Sequence, residues 1–168
     1  MPVKEVLLLG NNKLREKSIE VNYSDENLNV HLEDLKDTLN YLIMTKKVGR
    51  AIAAPQIGWK KSVIFYNLKE KSFYMINPII LSKSEEIFEV WDSCFCFEVE
   101  FFVQIERYKK IEVEYFDQEA VKKVETFTDD LSELIQHEID HLNGILATDH
   151  LKDPGKIIMR SEWERRFK

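Results

Sequence analysis

From Asp129 to Gly144 the apolar residues Leu131, Leu134, Ile135, Ile139 and Leu142 recur at three- and four-residue steps, and the pattern stops at Asn143-Gly144. That spacing predicts an amphipathic helix of about four turns, with Asp129 or Asp130 as its N-cap and the Asn-Gly pair as its stop. The same segment contains His137-Glu138-Ile139-Asp140-His141. Histidines four positions apart share one helix face, and Glu138 stands one residue round the turn. The helix must bury an apolar stripe while two imidazoles and a carboxylate serve something other than packing, and the rest of the chain has to supply the core.

The remaining chain divides by period. Between Ser24 and Val48, residues Leu28, Leu32, Leu35, Leu39, Leu42 and Ile43 follow the helical step, with Ser24 or Asp25 as cap and Gly49 just past the end. After the Pro55–Gly58 turn, β-branched and aromatic residues fill the short runs Ser62–Tyr66, Phe73–Asn77, Ile87–Trp91, Glu98–Val103, Ile111–Phe116 and Val121–Phe127. These predict strands of a mostly antiparallel sheet, with Glu112 and Glu114 toward water and Ile111, Val113 and Tyr115 toward the core. Pro154 is expected to open a third helix, in which Ile157, Ile158 and Trp163 alternate with cationic residues. Helix, strands, then helices give an α+β class. No repeat, linker or composition break divides the 168 residues, so a single domain over 1–168 is expected.

Two neutral imidazoles at this spacing can hold one divalent ion, and the adjacent carboxylate can reach water there. Two surface histidines on an amphipathic helix are the plain alternative. A catalytic ion with one open position needs a third protein ligand, and a thiolate suits iron, zinc, cobalt or nickel. The 2 cysteines, Cys94 and Cys96, are the candidates, against the alternative that each is a small buried hydrophobe. A disulfide between them would close almost no loop, which agrees with a reducing, cytoplasmic setting. Ala53-Ala54-Pro55-Gln56-Ile57-Gly58 predicts a tight loop whose small residues let backbone approach a ligand and whose Gln56 amide can donate to a developing oxyanion; alone, it reads only as a turn. With 24 Lys+Arg against 30 Asp+Glu, the net charge of -6 argues against a general phosphate-backbone binder. No apolar run nears the roughly 20 residues that span a bilayer. Neither nucleic acid nor membrane is an expected main partner.

Three segments, Gly49-Arg50-Ala51-Ile52-Ala53-Ala54-Pro55-Gln56, Asp92-Ser93-Cys94-Phe95-Cys96 and Gln136-His137-Glu138-Ile139-Asp140-His141-Leu142-Asn143-Gly144, together resemble the peptide deformylase family. Its motifs, G-x-G-x-A-A-P-Q, E-G-C-L-S and Q-H-E-x-D-H-L-x-G, come in this order and at about these separations. Asn77-Pro78, Arg107 and Leu14-Arg15 also look like positions the family uses. The resemblance implies antiparallel sheets packed around a central HExxH helix, with an N-terminal and a C-terminal helix. It implies a metal-dependent hydrolase that removes the N-formyl group from the N-terminal methionine of new polypeptides. Carried over, it makes Cys94, His137 and His141 the metal ligands, Glu138 the general acid/base, and Gln56 with the Phe95 N–H the oxyanion hole. The implied cofactor is one divalent ion, ferrous iron by preference, with zinc, nickel or cobalt able to replace it.

Departures from the motifs set further expectations. The middle motif keeps only its cysteine, with Asp92 for Glu, Ser93 for Gly, Phe95 for Leu and Cys96 for Ser. Ser93 is expected to narrow the substrate cleft. Ala51 replaces the second glycine of the first motif and costs about 1 kcal/mol, or bends the loop, if φ there is positive. Arg50 and Glu133 fall where family members usually place apolar residues facing the methionine side chain. They are expected to form an ion pair rimming an altered pocket, the alternative being that both point to solvent. With Ala51, Ser93 and Leu134 they make up the substrate-binding candidates. Asp140 is expected to accept a hydrogen bond from a ligand imidazole or to cap nearby structure. His31 and His150 read as solvated or core histidines, and the C-terminal cations as a solvated face or a weak contact with ribosomal RNA, a use known in some deformylases. The rival functions are a deformylase-like metal binder without turnover and an amidase acting on another acylated amine.

Overall fold

The computed structural model describes residues 3–68 and 70–168. Its strands are β1 (Ala51–Ala53), β2 (Val63–Leu68), β3 (Lys71–Lys83), β4 (Ile87–Asp92), β5 (Phe101–Tyr108), β6 (Lys110–Phe116), β7 (Lys122–Thr128) and β8 (Ile157–Met159). Its helices are α1 (Leu28–Lys46), α2 (Asp129–Leu142) and α3 (Arg160–Phe167). The strands form a five-stranded sheet in the order β1-β2-β3-β6-β7 and a three-stranded sheet β4-β5-β8. All ladders within both are antiparallel, and the class is α+β.

Strand alternation places the two long helices on opposite faces of the larger sheet. Ile52, Val63 and Phe65 point to one face, where Leu28, Leu32, Leu35 and Leu39 of α1 pack on them. Ala51, Ala53, Ile64 and Tyr66 point to the other, where they meet Ile135, Ile139 and Leu142 of α2 with Ile111, Val113 and Tyr115 of β6. A third apolar cluster joins Val90, Val103 and Ile105 of the small sheet to Leu14, Leu146 and both cysteines. Helix α2 also touches β5, so it is wedged between the sheets with its apolar stripe on the larger one.

Local differences from the periodic reading have physical causes. Helix α1 begins at Leu28 because the polar residues before it are used in turns: Asn22 accepts from the Ser24 N–H at 3.1 Å and Asp25 from the Asn27 N–H at 3.0 Å. The helix ends on Lys47 in the left-handed region (φ 60), two residues before Gly49. Strand β3 runs through Asn77-Pro78 to Lys83, with a register shift between Ile76 and Ile79 that accommodates the proline. Glu98 and Val99 are not strand: a 3-10 turn over Phe95–Phe97 leaves both with positive φ, and β5 starts only at Phe101. Pro154 opens a 3-10 turn rather than the expected third helix. Ile157–Met159 then pair with Phe101–Val103 as β8, and α3 starts at Arg160. No helix among the described residues is long and apolar enough to cross a membrane.

Candidate metal centre and active site

Cys94 lies in the connection leaving β4, and its extended backbone (φ -143, ψ 148) makes it the N-cap of the Phe95–Phe97 turn. Its Sγ is 3.2 Å from His141 Nε2, which is 3.2 Å from His137 Nε2. Donor atoms bound to one ion at about 2.0–2.3 Å sit roughly 3.3–3.7 Å apart in a tetrahedral arrangement, so each of these two spacings suits a pair of donors on a shared ion. The donor atoms that all lie within 4.8 Å of one another are those of Cys94, Cys96 and His141, so Cys96 stands where the expected ligand set has His137, whose Nε2 adjoins the group through His141. All four side chains are buried, and the His141 Nδ1 has no hydrogen-bond partner among the described residues.

The turn Ala54–Ile57 follows β1 and carries Gln56 to the sulfurs. Gln56 Oε1 accepts the Ala53 N–H at 2.8 Å, which fixes the amide; its Nε2 then stands 3.5 Å from each cysteine Sγ. The Cys96 N–H donates to Cys94 Sγ at 3.3 Å. Phe95 opens the 3-10 turn, so its N–H has no acceptor within it. Gly49 is required beside that turn: its φ is +101 and a Cβ there would lie 2.2 Å from Phe95 Cζ.

Asp92 sits two residues before Cys94 and on the same side of the extended chain, with Oδ1 2.8 Å from His137 Nδ1. Its Oδ2 takes Arg107 Nη2 at 2.9 Å; Arg107 Nη1 reaches Asp140 at 2.5 Å, and Asp140 meets His150 Nε2 at 2.7 Å. A buried file of alternating charge thus runs from the His137 ring to a half-exposed His150. Burial pushes the Asp92 carboxyl up, but His137 and then Arg107 overcome it and hold the group well below the carboxylate range. Burial likewise works against the His137 imidazolium, and Asp92 reverses this, lifting it to about 9. The Glu138 carboxyl is raised to about 7, first by burial, and its Oε2 has no hydrogen-bond partner among the described residues. Burial pushes the Cys94 thiol up and, together with the charge of His137, pushes the His141 imidazolium well down.

The sequence points to Asp140, not Asp92, as the acid that either supports an imidazole or caps nearby structure; in the structure Asp92 stands behind His137, and Asp140 is engaged by Arg107 and His150. The readable signal is an acid two positions before a candidate ligand thiol on an extended segment. Replacing Asp92 by Asn is expected to weaken metal binding about 10–100-fold, because the orienting charge behind His137 is lost. Competition with a chromophoric chelator measures this, and unchanged affinity would show that the His137 ring needs no such support.

These groups floor a cleft of about 380 Å³. Gln56, Cys94, Phe95, His137 and Glu138 line it, as do Arg50, Ala51, Ser93, Glu133 and Leu134; His141 is buried beneath. The Ser93 hydroxyl donates to the Phe101 carbonyl at 2.7 Å, which ties its side chain to the wall. Ala51 is a strand residue paired with Tyr66 and not one of the positive-φ positions, so the expected backbone cost does not arise. The expected Arg50–Glu133 ion pair is corrected: Arg50 makes a bidentate pair with Asp130, one turn earlier on α2, with Nη2 3.0 Å from Oδ1. That planar two-point geometry is the stronger contact for a guanidinium. His31 stacks on Trp59 at 5.0 Å.

A sequence model of the polypeptide deformylase family matches residues 3–156. A peptide deformylase of Helicobacter hepaticus is 34% identical over 172 residues, covering 97% of this chain and 89% of its own. One from Clostridium beijerinckii is 37% identical over 144 residues, covering 86% and 96%. Among solved structures, the Thermotoga maritima peptide deformylase superposes with a TM-score of 0.82 at 29% identity, covering 91% of this chain and 100% of that one. The Acinetobacter baumannii enzyme with Met-Ala-Ser bound gives 0.78 at 27% identity, covering 89% and 99%. Agreement over this much of the chain, with the third motif intact on α2, places the protein in the polypeptide deformylase family.

Proposed function

We propose that this chain hydrolyses the formyl group from the amino terminus of N-formylated peptides, nascent chains beginning with formyl-methionine among them. As a member of its family it is a metal-dependent hydrolase. The observation that carries the reading is the convergence, on the floor of one cleft, of Cys94 Sγ, His141 Nε2 and His137 Nε2 at 3.2 Å steps beside the Glu138 carboxylate. Cys94, His137 and His141 are the proposed ligands. Their mixed sulfur and imidazole set suits iron, zinc, nickel or cobalt, with ferrous iron as the proposed native ion. Held there, a divalent ion supplies a Lewis acid that acidifies water and polarises the formyl oxygen.

The chain's own groups account for the rest of the chemistry. Glu138, buried and poised near neutrality, takes a proton from the attacking water and returns it to the peptide nitrogen as the C–N bond breaks, giving formate and a free amine. Gln56 Nε2, aimed by the Ala53 hydrogen bond, and the Phe95 N–H donate to the formyl oxygen as it gains charge. A binding protein without turnover has no use for an unpartnered acid beside such donors. Of the C-terminal cations, Arg165 and Arg166 pair with Glu162, Lys168 pairs with Glu164, and Arg160 donates to the Val99 carbonyl, so a contact with ribosomal RNA would have to compete with those contacts. The proposed setting is the cytoplasm, where chains start with a formylated residue.

The test is formate release from formyl-Met-Ala-Ser by protein loaded with ferrous iron or nickel under anaerobic conditions. Metal-dependent release with appearance of Met-Ala-Ser is expected. Protein that holds stoichiometric metal and releases none would overturn the reading.

A further inference from the structure

Glu133, Leu134 and His137 lie at steps of one and four on α2, and all three line the cleft. The cations that line the same cleft are committed elsewhere. Arg50 is held by Asp130, Arg160 donates to the Val99 carbonyl with its guanidinium 4.6 Å from the centre of the Phe102 ring, and Lys168 Nζ is 2.8 Å from Glu164. Among the described residues Glu133 has neither an ion-pair nor a hydrogen-bond partner, although it is only partly exposed. A carboxylate in this state loses water without compensation when an apolar chain is laid against it, and gains a charge-assisted hydrogen bond when a donor is.

Resting on the deformylase reading above, we propose that Glu133 sets which first side chain the cleft accepts. It favours N-formyl peptides whose first side chain ends in an ammonium or another hydrogen-bond donor over those with an apolar chain of the same shape. Arg50 does not oppose this, because its charge is already matched by Asp130. Methionine remains a substrate, because apolar Leu134 and Ala51 line the same cleft.

Formyl-ornithine and formyl-norleucine peptides, each followed by Ala-Ser, differ in the side chain by one terminal group at nearly constant shape. The ratio of their kcat/KM values in the metal-loaded wild type, divided by the same ratio in Glu133→Leu, is expected to be on the order of tenfold or more. Glu133→Gln, which keeps the shape and the hydrogen-bonding capacity, should fall between them and stands in if the leucine variant does not fold. A ratio unchanged within about twofold in the variants overturns the proposal. Binding of the product peptides Orn-Ala-Ser and Nle-Ala-Ser, read by calorimetry, should show the same ordering and its loss. If no form releases formate from any peptide, the deformylase reading fails, and the calorimetric ratio alone decides the role of Glu133.

Discussion

Replacing Glu138 by glutamine is expected to lower kcat for formyl-Met-Ala-Ser by about 10²–10⁴-fold while metal content stays at the wild-type level. The side chain keeps its length and its place on α2, one residue round from His137, so the ligand atoms have no reason to move. What is lost is a group that can both accept and return a proton near neutral pH, a property that comes from its burial. Removing a buried, partnerless carboxylate also relieves a desolvation cost, so the variant should melt no lower than the wild type. Steady-state kinetics beside elemental analysis and a thermal melt checks all three parts. Wild-type turnover in a metal-replete Glu138→Gln protein would remove the residue from the chemistry.

Cys94→Ala should leave the protein without metal after dialysis against a chelator, whereas Cys96→Ala should hold about one ion per chain. Both sulfurs belong to one cluster, and the distinction rests on position. Cys94 Sγ is 3.2 Å from His141 Nε2 and faces the cleft, while Cys96 is buried to 1% exposure below it. The expected loss means that the Cys96 sulfur, although in the same cluster, does not replace Cys94 as the third ligand. Elemental analysis of the three proteins prepared side by side gives the answer; loss of metal from Cys96→Ala alone would move the ligand assignment to that sulfur.

The parts of this architecture that are legible in the chain are those governed by local rules. Helix α2 ends before Asn143-Gly144 as its spacing predicts, although its N-cap is Thr128 rather than Asp129 or Asp130, which fall in its first turn, and the i, i+4 histidines then have to share a face. The strand Lys110–Phe116 alternates as read, with Ile111, Val113 and Tyr115 inside. Where a distant partner decides, local pattern fails. Ile157 and Ile158 fit a helix equally well, but an open edge of β5 at Phe102 and Val103 captures them as a strand. Arg50 illustrates the same limit in the site. Asp130 and Glu133 are one turn apart on α2, and only the path of the Gly49–Ala51 segment selects between them. The role of Asp92 required knowing that the chain stays extended from it to Cys94.

The wedged position of α2 has a thermodynamic corollary. Two imidazole donors ride on a helix seated against the larger sheet, and the sulfur donor comes from the exit of a strand in the smaller one. An ion bound by both would therefore tie the two halves of the molecule together, as the Arg107–Asp140 pair between β5 and α2 already does, and its binding free energy would add to the work of prising them apart. Stripping the ion should loosen amide protection at the seam between the halves before it touches the interior of either, so that metal loss and partial opening are one linked equilibrium.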